Sequence, residues 1–280
     1  MYIHWFPGHM TKAMRMMKQE TAVVDSILYV LDARAPMSCV NEAFDEVIGN
    51  KSRMYVLNKA DMVEPEIVQA WIAYFKKSAP CIAADSLSRT DAREVVEGLL
   101  ALNAPLLDKY KAKGVNHTLR AMVLGVPNTG KSTLINSLIK GKKARTGNKP
   151  GVTRGKQWVS IDKYIDLLDS PGVLYPDFHD QSKAVKLALL GSIKDEILDI
   201  GELGLEAVRF LLSAYPDRFA SRYGEEVNAQ MPPLEAMRMV AAKRGYFSSD
   251  GDADFEKTGR AIVMDLRKGY FGKISLEKPI

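Results

Sequence analysis

The sequence predicts an α/β fold, a mostly parallel sheet flanked by helices, followed by a smaller all-α domain. Three observations carry this. Over the first 176 residues, short apolar runs alternate with helix-compatible stretches, as strand–helix units of a parallel sheet do. A glycine-rich loop, Gly125–Ser132, stands between one such run and one such stretch. After Pro176 the strand-like runs stop.

Taken in order, His9–Gln19 reads as a helix whose apolar positions Met10, Ala13, Met14 and Met17 fall on one face. Ser26–Leu31 is a buried strand. Asn41–Ile48 reads as a helix, Met54–Leu57 as a strand, and Pro65–Lys77 as a helix with proline in its first turn. Pro80–Ala84 is a weaker strand, Asp91–Lys113 one long helix, and Leu119–Leu124 a further strand. Gln157–Ile161 and Tyr164–Leu168 form a hairpin. Residues 180–223 are nearly all helix-compatible. Beyond Pro232-Pro233 come helices Leu234–Arg244 and Lys257–Lys268, separated by a polar loop at Phe247–Asp254. The expected division is 1–176 and 177–280.

Bulk properties narrow the class. No apolar run approaches the roughly 18 residues of a membrane span, and Met1–Gly8 does not read as a signal peptide. Cys39 and Cys81 lack the spacing of a zinc site or redox pair. A reducing, cytoplasmic setting is expected. The net charge of +5 is local: Lys140–Lys156 holds seven basic residues and no acidic one, whereas residues 177–280 hold 15 basic and 17 acidic side chains. Such a loop is either a solvated surface or a phosphate or nucleic-acid contact.

Gly125-Val126-Pro127-Asn128-Thr129-Gly130-Lys131-Ser132 matches the phosphate-binding loop in full. Its N–H groups would cradle phosphates at a helix N-terminus. Asn128, Thr129, Gly130, Lys131, Ser132 and Thr133 are therefore candidate nucleotide contacts. Lys131 would neutralise β- and γ-phosphate charge and Ser132 would ligate Mg²⁺.

Asn58-Lys59-Ala60-Asp61 closes the second strand. The Asp61 carboxylate can accept both N1–H and the 2-amino hydrogen of guanine, which adenine cannot offer. Asn58 suits either the base edge or the loops around it, and the Lys59 stem can cover the base. Ala84-Asp85-Ser86 stands where a turn under the base would follow, with Asp85 and Ser86 as candidate contacts. Downstream, Thr153 in Pro150-Gly151-Val152-Thr153 can offer a hydroxyl to Mg²⁺ and an N–H to the γ-phosphate. Asp169-Ser170-Pro171-Gly172 then supplies a carboxylate for Mg²⁺ and a γ-phosphate sensor at Gly172. Val173 follows where a glutamine would orient the attacking water, which valine cannot do.

The order of these motifs, with the base motif ahead of the phosphate loop, together with Asp32-Ala33-Arg34-Ala35-Pro36 and Trp5-Phe6-Pro7-Gly8-His9-Met10, resembles the ribosome biogenesis GTPase A (RbgA/YlqF) family of circularly permuted GTPases. The resemblance spans essentially the whole chain. It implies a permuted P-loop G domain over 1–176 that binds GTP or GDP with Mg²⁺ and hydrolyses GTP. It also implies a role in late assembly of the large ribosomal subunit, acting on its precursor, with residues 177–280 touching ribosomal RNA. It further implies K⁺ near the phosphates at Asn128. A monomer is expected, with no membrane or DNA partner. Because the permuted order makes helix His9–Gln19 precede the first strand, His9 is expected near Val173. There it either positions the hydrolytic water or caps the Pro7-Gly8 turn.

Overall fold

The computed structural model describes residues 1–3, 10–139, 157–162, 164–174, 180–226 and 228–279. The chain divides into two compact units. A sheet unit comprises Phe6–Asp177 and Glu277–Ile280; a helical unit comprises Met1–Trp5 and Phe178–Leu276. The expected boundary at 176/177 cuts the chain once, whereas in the structure the two chain ends also change places.

The sheet unit contains β1 (Ser26–Asp32), β2 (Ser52–Asn58), β3 (Cys81–Ala84), β4 (Leu119–Leu124), β5 (Gln157–Asp162) and β6 (Ile165–Asp169). Their spatial order is β3-β2-β1-β4-β6-β5. All neighbours are parallel except β5 and β6, which form the expected hairpin. β1 is buried at all seven positions, as a central parallel strand covered on both faces must be. One face carries Leu28, Val30, Met54, Val56, Ala121 and Val123. It packs against Val95 and Leu99 of α5 (Arg89–Leu102) and Leu134 and Ile135 of α7 (Lys131–Ile139). The other face is aromatic: Tyr29 and Tyr55 meet Phe44 of α3 (Ala43–Ile48) and Phe75 of α4 (Pro65–Lys76). A short α2 (Pro36–Cys39) precedes α3, and α1 (Met10–Thr21) packs on α3 with Met17 fully buried.

The long helix expected over Asp91–Lys113 is two helices, α5 and α6 (Ala104–Ala112). Pro105 has no N–H to continue the ladder. Asn103 fills the break, its Nδ2 donating to Leu99 O at 2.8 Å and Ser26 Oγ at 3.1 Å.

The helical unit holds α8 (Gln181–Leu189), α9 (Ile200–Ala214), α10 (Pro216–Tyr223), α11 (Pro233–Arg244) and α12 (Phe255–Arg267). The 180–223 stretch is thus three helices, interrupted after Leu189 and at Tyr215. Asp180, Asp199 and Asp254 cap α8, α9 and α12 by accepting backbone N–H groups. The α9–α12 crossing is close: a Cβ on Gly204 would overlap the backbone of Gly259. Among the described residues no helix is long and apolar enough to cross a membrane, and Cys39 and Cys81 are free and buried.

Candidate nucleotide-binding crevice

From β1 the sheet grows one way to β2 and β3, and from β4 the other way to β6. The crevice at the carboxyl ends of β1 and β4 is therefore a topological switch point, where open α/β sheets place ligands. Every motif read from the sequence within the described residues sits at a strand end there. Asp32–Arg34 follows β1, Asn58–Asp61 follows β2, Asp85–Ser86 follows β3, Gly125–Ser132 follows β4, and Asp169–Gly172 ends β6.

Hydrogen bonds stitch these loops together. Asn58 is 1% exposed. Its Nδ2 donates to Thr129 O at 2.7 Å and its Oδ1 accepts from Ser86 Oγ. One amide thus joins the base motif, the phosphate loop and the turn after β3. Gly130 must be glycine, since a Cβ would strike the Asn58 amide. Thr129 is buried, with Oγ1 donating to Val126 O at 3.1 Å. Lys59 and Asn128 are the two described non-glycine residues with positive φ, both 60°, an uncommon conformation that tends to gather at functional sites. They are joined: Lys59 Nζ donates to Asn128 O at 2.8 Å.

The same Lys59 Nζ lies 2.8 Å from Asp32 Oδ2. Asp32 also accepts from Arg34 Nε at 3.0 Å, Nη2 at 2.8 Å and its backbone N. Both residues are 1% exposed. Burial alone would push the Asp32 carboxyl up; Arg34 and then Lys59 overcome it and hold the carboxyl well below the usual range. The sequence named this segment as a family mark but not as a support for Lys59. Its signal was two opposite charges at the end of an otherwise apolar buried strand. Asp61, nearby, has its carboxyl raised by desolvation and then by Asp85, so these two acids share one neighbourhood.

At the other side of the crevice, Lys131 is buried, with Nζ donating to Gly125 O and Val126 O, each at 2.9 Å. Burial pulls its ammonium down to about 8, against the opposing pull of Asp169. Desolvation raises the Asp169 carboxyl, while Lys131 and Ser132 oppose the rise. Ser132 Oγ stands 3.5 Å from Asp169 Oδ2. Gly172 lies against the phosphate loop: a Cβ there would come within 2.8 Å of the Pro127 backbone and 3.0 Å of Lys131 Nζ. Ser170 Oγ ties this segment to Val123 O. Val173 is buried and its carbonyl accepts from Asn41 Nδ2 at 3.4 Å. Its side chain therefore belongs to the core. Ser132 and Asp169 offer hard oxygen donors of the kind Mg²⁺ takes beside phosphate oxygens. His9, Thr153 and the basic loop Lys140–Lys156 lie outside the described residues.

Known proteins agree with this geometry. The family model for the 50S ribosome-binding GTPase matches residues 120–208. Ribosome biogenesis GTPase A of Bacillus cereus is 39% identical over 282 residues, covering 100% of this chain and 95% of its own length. A GDP-bound YlqF structure superposes with a TM-score of 0.65 at 27% identity, covering 94% of this chain and 98% of that one. A GNP-bound YlqF from Thermotoga maritima gives 0.65 at 26% identity, covering 96% and 98%. With its base motif preceding its phosphate loop and both meeting at one switch point, this chain belongs to the ribosome biogenesis GTPase A (YlqF) family of circularly permuted GTPases.

Proposed function

We propose that this GTPase is a switch in late assembly of the large ribosomal subunit, acting in the cytoplasm as a monomer on the subunit precursor, whose particle stimulates hydrolysis. In this reading Asp61 selects guanine, with Lys59 over the base and Ala60, Asp85 and Ser86 around it. Asn58 holds the loops in register. Asn128, Thr129, Gly130 and Thr133 wrap the phosphates, with a K⁺ beside Asn128. Lys131 exchanges its carbonyl partners for β- and γ-phosphate oxygens. Ser132, Asp169 and Thr153 would hold Mg²⁺, which when bound neutralises phosphate charge. Gly172 N–H reports the γ-phosphate, and its loss frees the segment leading to residue 177. The helical unit contacts ribosomal RNA.

One observation carries the dependence on a partner: the buried Val173 side chain stands where a water-orienting group is needed. We assign that role to His9, completed on the particle. Multiple-turnover GTP hydrolysis, titrated with large-subunit precursors in K⁺ and in Na⁺, tests the reading. Strong stimulation by the particle, higher in K⁺ and lost in His9→Ala, is expected. Unstimulated, negligible turnover would make the chain a nucleotide-gated RNA-binding module instead. Stimulation unchanged in His9→Ala would leave His9 as a turn cap.

A further inference from the structure

The helical unit is not a basic coat. Residues 178–276 hold 14 Lys and Arg against 15 Asp and Glu. Five of those acids, Asp195, Glu196, Asp199, Glu202 and Glu256, line one groove of about 700 Å³, a surface a polyanion avoids. Any RNA contact by this unit must therefore be local.

One place has the required chemistry. Helix α12 ends in a turn in which Gly269 N–H donates to Leu266 O and Tyr270 N–H to Asp265 O, with Gly269 at φ 75°. This double bond pattern is a Schellman cap. Gly272, at φ 76°, closes the next turn. The two turns sort adjacent aromatic residues. Phe271 is 3% exposed and stacks on Phe219, whereas Tyr270 is 54% exposed. A tyrosine needed only for packing would be placed as Phe271 is.

Cations surround the exposed ring. The Arg222 guanidinium lies 4.7 Å from its centroid and Lys268 Nζ 6.0 Å. Arg222 is held in place: its Nε donates to Asp265 Oδ2 at 2.7 Å. Arg244 Nη2 reaches the same oxygen at 3.2 Å, and Tyr223 OH at 2.9 Å. Two arginines and a tyrosine hydroxyl thus gather round one carboxylate. That carboxylate is itself buried, and each arginine fork keeps further N–H donors. A fixed guanidinium beside an exposed aromatic ring, with a second on the same carboxylate, supplies the parts of a single-strand RNA site, in which a base stacks and phosphates take the charge.

We propose that Tyr270, with Arg222, Arg244 and Lys268, binds an unpaired RNA segment, one base stacking on the Tyr270 ring and adjacent phosphates meeting the three cations. This rests on the reading of the helical unit as RNA-contacting and assigns that contact to one face.

The test uses the full chain and fluorescence anisotropy with a labelled, unpaired oligoribonucleotide of about a dozen nucleotides, with a duplex of equal length as control. Tyr270→Ala should weaken binding of the unpaired strand by about tenfold or more and leave duplex binding nearly unchanged. Tyr270→Phe should retain wild-type affinity. Lys268→Gln should weaken binding and lower the salt slope by about one. GTP hydrolysis without RNA should be the same in all three, with melting curves confirming the fold. Wild-type RNA binding that Tyr270→Ala leaves intact would overturn this site while leaving RNA contact elsewhere. No RNA binding by the wild type would overturn both.

Discussion

The crevice holds two charge centres built on opposite terms. Around Asp32, a buried carboxylate meets a bidentate arginine and the Lys59 ammonium, and its carboxyl is held well below the usual range. Around Asp169, burial raises the carboxyl while the facing Lys131 is pulled down to about 8. In the first centre, partners more than compensate desolvation. In the second, desolvation prevails over the partners. The first centre is completed by the protein itself and shapes the base side. The second leaves charge to be compensated by something else, as a site for phosphate and a divalent cation should.

The comparison breaks most visibly if the wrong centre carries stability. Asp32→Asn should destabilise the fold by about 3–5 kcal/mol, because it leaves Arg34 buried without its anion; urea denaturation measures this. Asp169→Asn should do the reverse. Its stability should be unchanged or slightly raised, while Mg²⁺-dependent GTP hydrolysis falls about a hundredfold or more. Equal losses of stability in the two variants would erase the distinction.

A pH experiment sharpens it. Lys131 is charged below about 8 and neutral above. Binding of GTP phosphates favours the charged form, so nucleotide binding should take up a proton above about pH 8 and weaken as pH rises. Calorimetry in buffers of different ionisation heat reads that proton. For the fold the sign is opposite. Between about 8 and the ordinary lysine value of 10.5, the unfolded chain binds more protons, so this group makes stability rise with pH. Lys131→Met should abolish both trends. The smallest effect is at the clamp: Ser86→Ala should lower stability by about 1 kcal/mol in denaturant melts and loosen guanine nucleotide binding only slightly.

What the sequence displayed, and what it hid, follow from distance along the chain. Gly125–Ser132, Asn58–Asp61 and Asp169–Gly172 are contiguous, and each chemistry is complete within a few residues. The apolar runs located all six strands for the same reason. The Asp32–Lys59 link is instead a product of register: Asp32 pairs with Asn58 across parallel β1 and β2, which no local pattern announces. Ser86 stands out in the sequence only by its place after the third strand, yet it holds Asn58 through a single hydroxyl. The break at Asn103 follows from Pro105, a single residue set within a long helix-compatible pattern that masks it.

The exchanged ends of the chain have a consequence for cutting it. Glu277 accepts from Ser38 N at 3.0 Å and from Ser38 Oγ at 2.9 Å, so the last residues are tied to α2 of the sheet unit. The helical unit is therefore spliced into its neighbour as an insertion, bracketed on both sides by sheet-unit residues, while the opening residues of the chain belong to the insert. A fragment stopping at residue 176 would discard the Glu277 fastening to Ser38. A fragment starting at 177 would lose Met1–Trp5. Each unit takes in one terminus of the chain, and a clean separation requires grafting each terminus back onto the unit it serves.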